Sequence, residues 1–262
     1  MSELRRNESM RIRLHTVLAL GGVAILTVAA TGCGPEVTQA NTVAESKIFD
    51  FRGNSLTVKS DSADLELVAS DAKDVRVTRQ VSGTKVGGEV EAGWKLEGGV
   101  LALGVDCTGL SVNCGAKYTV KVPRDVAITV ENDKGLVEAT GFTADFSAKA
   151  GDMRLSELSG PRLDLEGRDG TIEGDRISAG SVTVASRNGD NELNFASAPD
   201  LIDVRSQDGD VRLGLPEATY AVDTAAKKGD ITVEVTKDDT SDHAVRIHTR
   251  NGDIVIGRSE TP

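Results

Sequence analysis

Arg187-Asn188-Gly189-Asp190 and Gln207-Asp208-Gly209-Asp210 stand 20 residues apart, and the same punctuation recurs along the second half of the chain. It reads Lys149-Ala150-Gly151-Asp152, Arg168-Asp169-Gly170-Thr171, Lys227-Lys228-Gly229-Asp230 and Arg250-Asn251-Gly252-Asp253. The six glycines step by 19, 19, 20, 20 and 23 residues. A steady period near 20 marks one small structural unit repeated and stacked on itself. The residues around each glycine say what the unit is. Seven and five positions before it stand pairs such as Leu163 and Leu165, Val182 and Val184, Ile202 and Val204, Val245 and Ile247. Two and four positions after it stand Met153 and Leu155, Val211 and Leu213, Ile231 and Val233, Ile254 and Ile256. Apolar residues at spacing two are strands with one buried face. Each unit therefore reads strand, turn, strand, with glycine supplying positive φ in the turn at no steric cost.

The register extends backwards. Ile128, Val130, Gly135 and Val137 fit it, and so do Leu56, Val58, Ala63, Leu65 and Leu67, with alanine in the place of glycine. Three residues before each glycine the side chain is small: Ala148, Gly167, Ser186, Ser206, Ala226, Thr249. Such a position suits the inside of a tight corner. Two architectures satisfy the pattern, a β-solenoid with one coil per repeat or a β-sandwich of Asn-Gly and Asp-Gly hairpins. The near-constant step favours an all-β, solenoid-like stack, because like columns then meet in parallel ladders. The aromatic fraction of 3% agrees with a narrow core of Val, Ile and Leu.

The N-terminus carries an address. Arg5, Arg6, Arg11 and Arg13 form a basic segment, Val17 to Ala30 is apolar, and small residues lead to Cys33. This is a signal-peptide pattern, and its apolar stretch is shorter than the roughly 20 residues of a spanning helix. Thr31-Gly32-Cys33 resembles a bacterial lipobox, which implies an acylated Cys33 at the start of the mature protein. The organisation expected is a lipoprotein signal over 1–33, a tether over 34–45, the β-repeat domain over 46–257 and a tail over 258–262. Net charge is −11, and residues 1–33 hold four basic and two acidic side chains, which leaves −13 on the remainder. An acidic surface argues against nucleic acid and against anionic lipid heads, both of which select Lys and Arg.

Cys107 and Cys114 form an even pair in an exported chain, which reads as a disulfide across the loop of one hairpin. Asp152, Asp190, Asp210, Asp230 and Asp253 follow the turn glycines and make an acidic column that invites calcium. Lys149, Arg168, Arg187, Lys227 and Arg250, two before the glycines, form a basic column beside it. The charges then balance without a cation, and Asp after Gly accepts hydrogen bonds within its own turn. No metal and no cofactor are expected. Catalytic signatures are lacking: His243 and His248 fall on opposite faces of one strand, and no Gly-x-Ser-x-Gly elbow, phosphate loop or paired zinc signature occurs. The single tryptophan, Trp94, reads as core packing at the first sheet.

The lipobox, the cysteine pair ahead of Tyr118-x-Val120-x-Val122-Pro123, and the repeated strand–Asn/Asp-Gly-Asp–strand unit together resemble the bacterial "putative adhesin" domain family of envelope proteins. The resemblance covers residues 45–257 and implies a solenoid-like domain displayed outside the membrane, with no catalytic residues to carry over. The function expected is a non-enzymatic surface binding, adhesion or scaffolding module. Its partners would be the membrane, through the lipid, and a cell-envelope protein or polysaccharide. A polysaccharide-acting enzyme on the same fold and an envelope-stress accessory protein are the rival readings. Cys33→Ala is expected to release the protein from the membrane fraction or leave its signal uncleaved, as fractionation and intact mass would show.

Overall fold

A computed structural model describes residues 37–39, 44–86, 90–108 and 110–259. Cys33 and the signal segment lie outside the described residues. In chain order the strands are β1 (Val37–Gln39), β2 (Glu45–Phe49), β3 (Ser55–Ser60), β4 (Asp64–Ser70), β5 (Val75–Val86), β6 (Val90–Glu97), β7 (Val100–Cys107) and β8 (Leu110–Pro123). Then come β9 (Ala127–Asn132), β10 (Val137–Thr140), β11 (Phe146–Ala150), β12 (Met153–Ser156), β13 (Arg162–Asp169), β14 (Ile172–Ile177), β15 (Ser181–Asn188) and β16 (Asn191–Phe195). The last are β17 (Leu201–Asp208), β18 (Val211–Leu215), β19 (Thr219–Lys228), β20 (Ile231–Val233), β21 (Thr236–Lys237), β22 (Ala244–Asn251) and β23 (Ile254–Arg258). No helix occurs among the described residues.

The fold is the solenoid. Even-numbered strands β4, β10, β12, β14, β16 and β18 lie side by side in one sheet, here sheet A, while β3, β9, β11, β13, β15 and β17 form sheet B. Neighbours are parallel and in matching register, Leu163 beside Val182 and Val182 beside Ile202. The hairpin sandwich is excluded by these parallel ladders. Residues at spacing two from both sheets meet between them: Leu163, Leu165, Val182, Val184, Ile202, Val204, Val211 and Leu213 are all at most 3% exposed. Burying one such side chain is worth about 1.5–3 kcal/mol. A single coil, with no neighbour to complete its core, would bury too little to stand alone.

Coils do not stack in strict chain order at either end. The spatial order in sheet B is β17, β22, β19, and in sheet A it is β18, β23, β20. The C-terminal coil is inserted one layer in, and the coil before it becomes the outermost. The inward faces explain the exchange. Val245, Ile247, Ile254 and Ile256 are fully apolar and 0% exposed. The outermost coil presents Val222, Thr224 and Ala226, a weaker set that tolerates the end of the stack. The 23-residue step was the sign of this return. At the other end β3 and β4 likewise lie between the later coils β7/β8 and β9/β10. Antiparallel strands then close that end: β5 lies on β8, β6 on β7, and β1 and β2 on β5. Val37–Gln39, expected in a tether, is thus a strand, and β23 runs one residue into the expected tail.

The corner glycines serve a purpose beyond their dihedral angles. Gly189, Gly209, Gly229 and Gly252 have positive φ, but Gly151 and Gly170 do not. What Gly170, Gly189, Gly209, Gly229 and Gly252 share is closeness, and Gly151 alone of the six has room. A β-carbon on Gly209 would lie 2.2 Å from the Gly189 carbonyl oxygen, and one on Gly252 would lie 2.1 Å from that of Gly209. Beside them the amide of Gly209 donates to the Asn251 carbonyl (2.9 Å) and that of Gly252 to the Lys228 carbonyl (2.9 Å). The parallel ladder therefore continues around the corner, and the small inner residues predicted there, such as Ala148, Ser186 and Ser206, are buried.

Cys107 and Cys114 are bonded. They do not close a hairpin, however. β7 belongs to sheet B and β8 to sheet A, so the bridge ties the two sheets together where one passes to the other. The antiparallel partners of these strands are β6, which forms a hairpin with β7, and β5, which lies on β8.

The stacking order sets the cost of glycine replacement. Gly252→Ala should destabilise at least as much as Gly209→Ala, because Gly252 lies inside the stack. Each should exceed the roughly 1–3 kcal/mol of an unfavourable backbone region, since the collision adds to it. Gly151→Ala meets nothing nearer than the Asp169 carbonyl at 3.5 Å and should stay within about 0.5 kcal/mol of the parent in urea unfolding.

Candidate functional site

Outward residues three positions after the corner glycines line up across sheet A. Glu66 pairs in register with Glu138, Glu138 with Arg154, Arg154 with Glu173, Glu173 with Glu192 and Glu192 with Arg212. Strand alternation puts every one of them on the solvent face. The next outward row is small and polar: Thr140 beside Ser156, then Asp175, Asn194 and Gly214. Short side chains next to long ones leave a trough. It measures about 480 Å³ and is bounded by Glu138, Arg154, Glu173, Asp175, Glu192 and Asn194.

Cations thread the row. Lys117 Nζ lies 3.0 Å from Glu66 and 3.4 Å from Glu138, and Arg154 lies 3.9 Å from Glu138 and 3.2 Å from Glu173. The hydrogen bond from Lys117 holds the Glu66 carboxyl below the usual carboxylate range, against a smaller opposing effect of burial. Glu66 in turn raises the Lys117 ammonium. Glu192 makes no ion pair among the described residues, because Arg212 turns instead to Asp210 (2.6 Å) and Asp190 (3.8 Å). Four carboxylates against Lys117 and Arg154 leave this face acidic. On the floor Ser156 and Thr140 hydroxyls share a hydrogen bond of 2.8 Å.

At the far lip of the trough, Glu157 and Arg176 both adopt left-handed backbone, with φ of 55° and 50°. Their side chains pair at 2.9 Å, and Arg176 also reaches Asp175. Two adjacent coils thus turn the second corner in an unusual conformation, costing on the order of 1–3 kcal/mol each.

The acidic column is engaged, though not as expected. Asp190 Oδ1 accepts the backbone amide of Asp210 (2.8 Å), Asp210 Oδ1 accepts that of Asp253 (2.9 Å), and Asp253 Oδ1 accepts that of Asp230 (2.8 Å). Each carboxylate reaches into the adjoining coil rather than its own turn. Asp152 does the same for Thr171 (2.9 Å). The basic column does not neutralise these groups. Lys149 pairs with Glu166 and Arg168 with Asp133 (3.1 Å), while the cation beside Asp190 and Asp210 is Arg212. One residue nearer the glycine, Asn188 donates to Asp169 and Asn251 to Asp208, so acid and amide alternate along the stack. Among the described residues no three His, Cys, Asp or Glu side chains are grouped to hold a metal ion.

The other singled-out residues lie elsewhere. His243 sits beside the Pro199 carbonyl (Nδ1···O 2.9 Å), and His248 is exposed, 3.9 Å from Asp223. Trp94 is half-buried, with the Arg79 guanidinium 4.3 Å from its ring centre. Arg79 is held there by Glu45 (2.6 Å) and by the Ala92 carbonyl, so one face of the indole is covered.

A model of the Toastrack DUF4097 family matches residues 53–261. The chain belongs to this family. Among solved structures, the Toastrack chain is similar to a putative adhesin from Bacteroides fragilis, at 14% identity and TM-score 0.48, over 86% of this chain and 100% of that one. It is also similar to a putative adhesin from Parabacteroides merdae, at 12% and 0.44, over 84% and 98%. A putative cell adhesion protein from Clostridium sporogenes matches at 9% and 0.41, over 82% and 100%. No curated protein sequence matches the chain.

The Asp column yields a pH prediction. The Asp253 amide hydrogen bond, and secondarily Arg212, hold the Asp210 carboxyl below its ordinary 3.8. A lowered value means the stabilisation is present above pH 3.8 and is lost as pH falls through the folded value. Asp210→Asn should therefore cost about 1 kcal/mol at pH 7, the difference between a charged and a neutral acceptor, and little in acid. Urea unfolding at the two pH values measures this, and EDTA should leave both melting temperatures unchanged.

Proposed function

We propose that this protein is a non-enzymatic binding or scaffolding module, held by lipid on Cys33 at the extracytoplasmic face of the bacterial membrane. Its contact surface is the trough on sheet A. The observation that supports this is the trough's form: it crosses several coils, is shallow, and sets one row of charged side chains beside one row of short hydroxyl, carboxyl and amide side chains. An extended partner laid across the strands would meet one charged side chain, most often a carboxylate, at each coil. Carboxylates and hydroxyls in alternation suit a hydroxyl-rich or cationic segment of a cell-envelope polysaccharide or protein. The solid core beneath leaves the strands rigid, so such a contact loses little by ordering the protein.

Binding of the full chain to isolated cell envelopes tests the proposal. Glu173→Lys with Glu192→Lys should weaken it about tenfold, or about 1.4 kcal/mol, whereas Thr183→Lys on the outer face of sheet B should leave it unchanged. Equal binding by the two variants overturns the reading. So would shortening of an envelope polysaccharide that Glu173→Gln abolishes, which would establish the enzyme instead.

A further inference from the structure

The two ends of the stack differ. Antiparallel strands close the first, but among the described residues only β21 lies beyond β19, and it covers no more than Thr219 and Tyr220. Ile231 at this end is 43% exposed, while Ile254 beside it in the next coil is 0% exposed. Val222 and Val233 are only partly buried. The apolar interior is open here.

The backbone is open too. Ala221 donates its amide to the His243 carbonyl (2.9 Å), so the odd residues of β19 face β22. The Tyr220 carbonyl faces the other way and accepts from Asp238 (3.0 Å). By strand alternation Val222, Thr224 and Ala226 then aim their N–H and C=O groups off the end of the sheet, whereas the Lys228 carbonyl, at the corner, turns back to accept the Gly252 amide (2.9 Å). In β20 the Asp230 carbonyl and Glu234 amide both bond to β23, which leaves Ile231 and Val233 aimed outward. Two open strand edges over an exposed apolar interior form a template for further strands.

We propose that a second copy of this chain occupies this end, so that β19 and β20 each pair antiparallel with themselves about a two-fold axis normal to both sheets. The sequence of β19 carries the argument. Asp223-Thr224-Ala225-Ala226-Lys227 is self-complementary in charge when reversed about Ala225. Asp223 then stands opposite the partner's Lys227, and Lys227 opposite the partner's Asp223. Thr224 and Ala226 become the hydrogen-bonded pairs, matching the groups that point outward. Ala225 meets its own copy in a closely spaced, non-bonded pair. Counted from Gly229, Ala225 is four residues before the corner and Thr232 three after it. One axis therefore passes near both, and Ile231 falls opposite the partner's Val233. Because the two-fold pairing consumes both open edges of this end, the assembly closes at two copies. This proposal is independent of the trough.

Cross-linking of the full-length chain in intact producing cells tests it. Ala225→Cys with a short bismaleimide should give a covalent dimer. Ala185→Cys, the outward equivalent in a central coil, should stay monomeric. Adding Asp223→Lys to Ala225→Cys should abolish the dimer, since lysines then oppose one another, and adding Lys227→Asp as well should restore it. The restored variant shows that the loss was not misfolding. No dimer from Ala225→Cys, a dimer indifferent to Asp223→Lys, or a ladder of larger species would each overturn the proposal.

Discussion

The structure depends on how closely one corner can approach the next. Parallel strands must stay in hydrogen-bonding reach through a sharp turn, and that brings the Gly189 carbonyl oxygen within 2.2 Å of where a β-carbon on Gly209 would sit. Only hydrogen fits. From this follow the fixed period, the matching register of both sheets and the columns of like residues. The Asp ladder belongs to the same corner. Asp190, Asp210 and Asp253 each accept an amide that the turn would otherwise leave unpaired in the neighbouring coil.

Periodicity made much of this legible in the amino-acid sequence. The apolar pairs flanking Gly170, Gly189, Gly209 and Gly252 are the observed core, and the small inner residues occupy the corners. Stacking order was hidden, because identical corners do not say which coil is next to which. The extra residues before Gly252 and the Thr224 and Ala226 of the weakest coil were the available signs. The same limit applied to Cys107 and Cys114: their spacing allows a bridge, but strands assigned to different sheets cannot be told from a hairpin pair.

The trough was missed for a simpler reason. Glu138, Arg154, Glu173, Glu192 and Arg212 recur with the repeat's own period, three residues after each glycine. Individually each is an unremarkable exposed charge on a strand. Only the parallel register turns them into a row. Lys117, which contributes as much as any of them, comes from β8 outside the regular repeats and has no periodic signal at all.

Inserting the C-terminal coil one layer in changes what it means for this stack to fray. When the outermost rung of a simple solenoid opens, it becomes a dangling tail and gains all the freedom of one. Here the outermost rung is joined at both sides to rungs still in place, β18 before it and β22 after it. Opening it releases a closed loop, whose entropy is curtailed by the requirement that its ends stay together. The chain acts as its own clasp, and unravelling from that side must open the outermost rung and also the β22/β23 rung beneath it before any end is free.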